Sequence, residues 1–239
     1  MKTSTTTPLV VAISLMAFIP FLADARPRGP IGGRGIVAPQ GRQFDLQRGL
    51  SAELRTEREK FRIWRDEVRG GMKYFADSDK QTRLIFAGLN MAIAKNLVDD
   101  RITDQLGRTL LDRTEAVGND ALAAANRQGL TEDQDAKVRE ALGQIHESLT
   151  AGTTELPDPS VRTPHLNRFQ LEAAELIRFG GESGTLSSGK VSTLNRKLLS
   201  LESDERTAKS KGKLSDRDRE KLFEDARKLG IDILEEFVD

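Results

Sequence analysis

Apolar residues recur at helical spacing along most of the chain beyond residue 51, with a period of three to four rather than the alternation of a strand. Leu54, Phe61, Trp64, Val68 and Phe75 mark a first amphipathic helix, expected from about Ala52 to Phe75 within a segment 49–77. Arg58, Arg62, Arg65 and Arg69 line its other side and alternate with Glu57, Glu59, Asp66 and Glu67, the signature of a salt-bridged wet face. Trp64, the sole tryptophan, falls in the apolar set and reads as a core residue.

The pattern then repeats itself. A shift of 84 residues lays RLIFAGLNMAIAKN, from Arg83, over NRFQLEAAELIRFG, from Asn167, and matches Ile85 with Phe169 and Ile93 with Ile177. It also matches Ile102-Thr103 with Leu186-Ser187, Leu130-Thr131 with Leu214-Ser215, Val138 with Leu222 and Ile145 with Leu229, without a gap. Each copy reads as three helices. In residues 78–150 they are expected at Asp79 to Leu97, Thr103 to Arg127 and Glu132 to Leu149; in residues 164–239, at Pro164 to Phe179, Ser188 to Ser210 and Asp216 to Phe237. Leu106, Leu110, Val117, Ala121 and Ala124 form the buried stripe of one middle helix, and Val191, Leu194, Leu198, Leu201 and Ala208 that of the other. Residues 151–163, rich in proline, read as a hinge between the copies. The expected fold is all-α, a leading helix followed by two tandem three-helix units.

The aliphatic-hydroxyl pairs have a local purpose. The first amide protons of a helix lack partners, and a serine or threonine at the cap accepts a hydrogen bond from one of them. Thr131 to Gln134 and Ser78 to Gln81 read as capping boxes, Thr163-Pro164 as a cap followed by a first-turn proline, and Gly180-Gly181 as a helix end.

Composition narrows the function classes. With 31% charged, 37% hydrophobic and 5% aromatic residues, the chain suits amphipathic helices better than a sheet. Basic and acidic residues balance at 37 each, so net charge gives no reason to expect nucleic acid as a partner. Met1 to Ala25 carries one cation, Lys2, then an apolar run from Pro8 to Leu22 and small residues around Asp24, which reads as a secretory signal peptide cleaved after Ala25. No transmembrane span is expected after that cleavage. Cysteine is absent, so stability rests on packing even in an oxidising compartment. Residues 26–48, with Arg26, Arg28, Arg34 and Arg42, read as a flexible Gly/Pro/Arg linker able to make weak contact with anionic envelope surfaces.

Candidate chemistry fails on inspection. Gly184 to Val191 falls one residue short of a phosphate-binding loop, and a helix rather than a strand precedes it. Gly33-x-Gly35-x-x-Ala38 runs into Pro39 with no strand or helix beside it. His146 and His165 stand apart from each other and read as surface or helix-end residues, and Asp99-Asp100 reads as a solvated acid pair. No catalytic, cofactor-binding or metal-ligating residue is assigned, and no cofactor is expected.

One family pattern remains. Gly212-Lys-Leu-Ser215 resembles the middle of an EF-hand loop, within a helix-loop-helix layout. With Gly212 at that family's glycine, Thr207, Lys209 and Lys211 take positions that should supply oxygens, Lys213 takes the backbone position and Asp218 the closing acid. Placing Leu130 likewise gives Ala123, Ala125, Arg127 and Gln134. Ammonium groups repel a dication, so this is an EF-hand-like frame without ligands. Over residues 78–237 the chain also resembles uncharacterised exported bacterial helical-repeat proteins built on small-x-Leu-Ser/Thr units, a resemblance that implies no activity. The expectation is an exported, non-enzymatic interaction or scaffold protein of the periplasm or cell envelope with a protein partner of unknown identity. The alternatives are a metal-responsive module and a peripheral envelope binder acting through the basic arm.

Overall fold

The computed structural model describes residues 52–76, 79–125 and 128–237. The signal peptide, the linker 26–48 and the Ser78 and Arg127 assignments lie outside them. Among the described residues the chain is all-α, with helices α1 (Ala52–Arg69), α2 (Lys80–Val98), α3 (Asp104–Ala124), α4 (Glu132–Gly152), α5 (Pro164–Ser183), α6 (Ser188–Lys209) and α7 (Asp216–Glu236). No described helix is long and apolar enough to cross a membrane. The starts of α5, α6 and α7 each follow those of α2, α3 and α4 by 84 residues.

The chain divides into two compact units, and the divisions fall inside α1 and α5, before the last residue of α6 and just ahead of α7. One unit comprises Lys60–Leu171 with Lys209–Leu214. Here α2, α3 and α4 pack on one another around Phe86, Leu89, Ile93, Leu110, Leu142, Ile145 and Leu149, with the rings of Tyr74 and Phe75 packed on Phe86. Each such side chain contributes roughly 1.5–3 kcal/mol when fully buried. Glycine sets the helix spacing where α3 meets α2. A Cβ on Gly107 would lie 2.3 Å from Leu97, so α3 meets the end of α2 only because that position lacks a side chain.

The other unit takes Glu172–Ala208, the chain from Ser215 onward and the described residues up to Glu59. Its core holds Ile177, Leu194, Leu198, Ala226, Leu229 and Ile233, and Phe179 stacks on Phe237 with ring centroids 6.2 Å apart.

Boundaries depart from expectation at several points, among them the end of α4, which runs on to Gly152, three residues past Leu149. α1 stops at Arg69, six residues before Phe75, because Gly70-Gly71 follows and Gly71 adopts φ +69°, packing on Phe86. α2 starts after Asp79 rather than Ser78, and the Asp79 side chain makes no capping hydrogen bond. α3 ends at Ala124, which is exposed rather than part of the buried stripe. α5 does not end at Gly180-Gly181 but runs on to Ser183, and Gly184 at φ +76° turns the chain. Gly180 is a packing residue, since a Cβ there would sit 2.5 Å from Leu186 and 2.8 Å from Phe237. Trp64 is half-buried, stacked 6.1 Å from Phe61 with the Lys73 ammonium 5.6 Å from its ring.

Candidate functional site

A convergence of polar groups from distant parts of the chain surrounds Asp100, at the turn that ends α2. The Arg101 amide donates to the Asn96 carbonyl at 2.9 Å and the Asp100 amide to the Leu97 carbonyl at 3.1 Å, which is a Schellman ending with Asp100 at its left-handed residue. Asp100 adopts φ +58°, the one non-glycine with positive φ among the described residues. Glycine takes such a position freely, whereas a residue with a Cβ is disfavoured there by roughly 1–2 kcal/mol.

The carboxylate offsets that cost. Its Oδ2 accepts the Thr163 amide at 3.1 Å, and its Oδ1 pairs with the Lys209 ammonium. Thr163 Oγ1 donates to Asn167 Oδ1 at 3.2 Å, and Asn167 Nδ2 donates to the carbonyls of Leu97 and Val98, so the start of α5 is bonded to the end of α2. Beside it the Thr154 amide donates to the Arg101 carbonyl at 2.8 Å, and Arg101 Nε donates to the Thr154 carbonyl at 3.1 Å. The Leu214 amide donates to the Ser160 carbonyl at 3.2 Å. The proline-rich segment is thus hydrogen-bonded along its length.

Asp99-Asp100 is therefore not the solvated pair expected from sequence. Both acids are half-buried, and Asp100 is the junction of three stretches of chain. Its partners lie 63 and 109 residues away, out of reach of any local pattern.

The EF-hand-like stretch serves the same unit. Gly212 does adopt positive φ, +80°, but Lys209 is spent on Asp100 and Leu214 is buried. Ser215 caps α7, its Oγ accepting the Asp218 amide at 3.1 Å and donating to the Asp218 carboxylate at 2.8 Å. Thr103 and Thr131 cap α3 and α4 in the same way, Thr131 in a full box with Gln134. Among the described residues no three His, Cys, Asp or Glu side chains gather as metal ligands would.

A second polar cluster lines a cleft of about 250 Å³ between α6 and α7. Lys190, from the glycine-rich stretch that imitates a phosphate loop, pairs with Glu236, and Lys197 pairs with Asp232 at 2.7 Å. The cleft is smaller than most ligand pockets, and both of its lysines are paired with carboxylates, with Glu235 a third acid on its lining. His146 and His165 are exposed on separate helices.

The Ser160 amide, 2.7 Å away, holds the Asp158 carboxyl below the usual aspartate value, and the Arg227 guanidinium does the same for Glu224. Burial draws Arg108 down, opposed by Asp104 and Asp112. None of these groups sits in the cleft or at the Asp100 junction. In comparisons with family models, with curated proteins and with solved structures, nothing matched this chain.

Proposed function

We propose that the chain is an exported, non-enzymatic helical scaffold of the periplasm or cell envelope, built by duplication of a three-helix frame and presenting its surfaces to a protein partner. The observation that carries this reading is the use made of Asp100. A half-buried carboxylate in a strained conformation is the sort of group catalysis exploits, yet here both oxygens hold chain segments together. The paired charges of the α6–α7 cleft have the same architectural use.

The matching helix starts and the αL residues Asp100 and Gly184, 84 positions apart, support the duplication. Burial of Ile93 and Ile177, Ile102 and Leu186, and Ile145 and Leu229 at matching positions supports it further. Export rests on the composition of residues 1–25 alone.

Photo-crosslinking in intact cells, with the cross-linker on the exposed faces of α4 and α6, is expected to give a discrete covalent adduct with a protein. Its absence from both faces would overturn the scaffold reading. Mass spectrometry of the recovered chain is expected to find Arg26 at its amino terminus; a retained Met1 would overturn the assignment of export by a cleaved signal.

A further inference from the structure

Helix α2 differs from every other described helix in carrying no acidic residue. Its 19 residues include Lys80, Arg83 and Lys95 and neither Asp nor Glu. Phe86, Leu89 and Ile93 face the core, but the opposite side is apolar as well: Leu84 is 64% exposed, Met91 66% and Ile85 39%. These are three of the eight large apolar side chains left exposed among the described residues. Leu84 and Met91 share one face, since positions 84, 88 and 91 stack at helical spacing, and Ile85 lies at its flank. Gly88 between them has open space where a Cβ would be. Lys80 and Lys95 stand exposed at the two ends of this stripe, roughly 22 Å apart along the axis.

We infer that the outer face of α2 docks on an anionic lipid surface, with Leu84, Ile85 and Met91 entering the interface and Lys80 and Lys95 meeting the headgroups. The charge pattern selects this occupant. It disfavours a second copy, because two α2 helices face to face bring Lys80 against Lys95 when antiparallel and like against like when parallel. The stripe also covers only a few hundred Å², below the roughly 800 Å² each partner buries in a stable interface. A protein partner would need a groove shaped to a single convex ridge, whereas a lipid surface yields to one. The inference goes beyond the scaffold reading and needs neither a protein partner nor the arm at Arg26 to Arg42.

The absence of cysteine supplies the test. In the chain from Arg26 onward, Met91→Cys and, separately, Gly143→Cys on the exposed side of α4 are labelled with a polarity-sensitive fluorophore. With vesicles of phosphatidylglycerol and phosphatidylcholine, a blue shift is expected at position 91 and none at 143, and pure phosphatidylcholine is expected to give none at either. Adding Lys80→Glu and Lys95→Glu, or Leu84→Ser, is expected to weaken the partition read at position 91 at least tenfold, with helicity by circular dichroism unchanged.

Vesicle retention without a shift at 91 would overturn the proposal and assign binding to another part of the chain. A shift at 91 that persists in the charge-reversed variant, or that appears with rising protein concentration and no lipid, would overturn it equally. Cross-linking to a protein partner tests the scaffold reading independently, so either proposal can fail alone.

Discussion

Lys209 and Asp100 meet as an ion pair across 109 positions of sequence, and the same carboxylate accepts the amide of Thr163. Both side chains are largely withdrawn from water, at 22% and 16% exposure. Removing one partner of such a pair leaves the other charge without compensation, which costs more than the pair contributes net.

Three substitutions at Asp100 separate these contributions. Asp100→Asn keeps an acceptor for Thr163 and tolerates the left-handed backbone but leaves the Lys209 ammonium unpaired, for about 1 kcal/mol because that side chain keeps 22% of its surface in water. Asp100→Gly relieves the backbone but strands both Thr163 and Lys209, for about 2 kcal/mol. Asp100→Ala adds the left-handed penalty and should cost about 3 kcal/mol. Urea denaturation is expected to rank them Asn, Gly, Ala from mildest to worst. Alanine no worse than glycine would show that φ +58° is not what makes the position demanding.

Two glycines inside helices are expected to respond in opposite directions to the same substitution. At Gly107 a new Cβ would meet Leu97 at 2.3 Å, and overpacking of this kind costs about 1–3 kcal/mol. Gly143 lies on an exposed turn of α4 with nothing within 4 Å of the added atom. There alanine should stabilise by about 0.5–1 kcal/mol through helix propensity and the loss of freedom in the unfolded chain. Thermal denaturation of the two variants checks both signs. A destabilising Gly143→Ala would mean that α4 packs differently at that turn.

What was legible in sequence was what sequence-local physics decides. The starts of α3, α4 and α7 could be read because Thr103, Thr131 and Ser215 each bond an amide three residues on. Helix ends were harder. Gly70-Gly71 terminates α1 while Gly180-Gly181 passes inside α5, and the difference lies in Leu186 and Phe237, which close over Gly180 from elsewhere in the chain. No periodicity distinguishes those two pairs. The Asp100 junction was invisible for the same reason, since each of its partners is fixed by tertiary packing. The middle helices hide one further departure: Glu202 and Glu205 on α6 are buried at positions where the apolar stripe alone was expected.

The caps give a prediction with a known scale. Thr131→Ala removes the acceptor for the Gln134 amide and leaves the reciprocal bond, donated by the residue 131 amide to Gln134 Oε1, unsupported. The expected loss is about 1 kcal/mol, and Thr131→Ser should recover most of it because the oxygen returns. Equal stability of the alanine and serine variants would remove the cap from the account of α4.

The Asp158 carboxyl gives the chain a dependence on acid whose sign follows from its hydrogen bond. The Ser160 amide favours the ionised form, so the folded chain holds this group below the ordinary aspartate value of about 4. A lowered folded value means that the unfolded chain binds the proton more readily. The stabilisation is therefore present in full above the ordinary range and is lost as pH falls through the lower folded value. Asp158→Asn keeps an acceptor for Ser160 but cannot titrate. Its melting temperature is expected to fall less steeply than that of the parent chain as pH is lowered from 5 toward 2, with the two curves parallel above 5. A side-chain titration by NMR should place the Asp158 midpoint below that of a free aspartate. A midpoint at or above the ordinary value would show that Ser160 does not hold this turn in solution, and with it would go the hydrogen-bonded account of the segment that leads into α5.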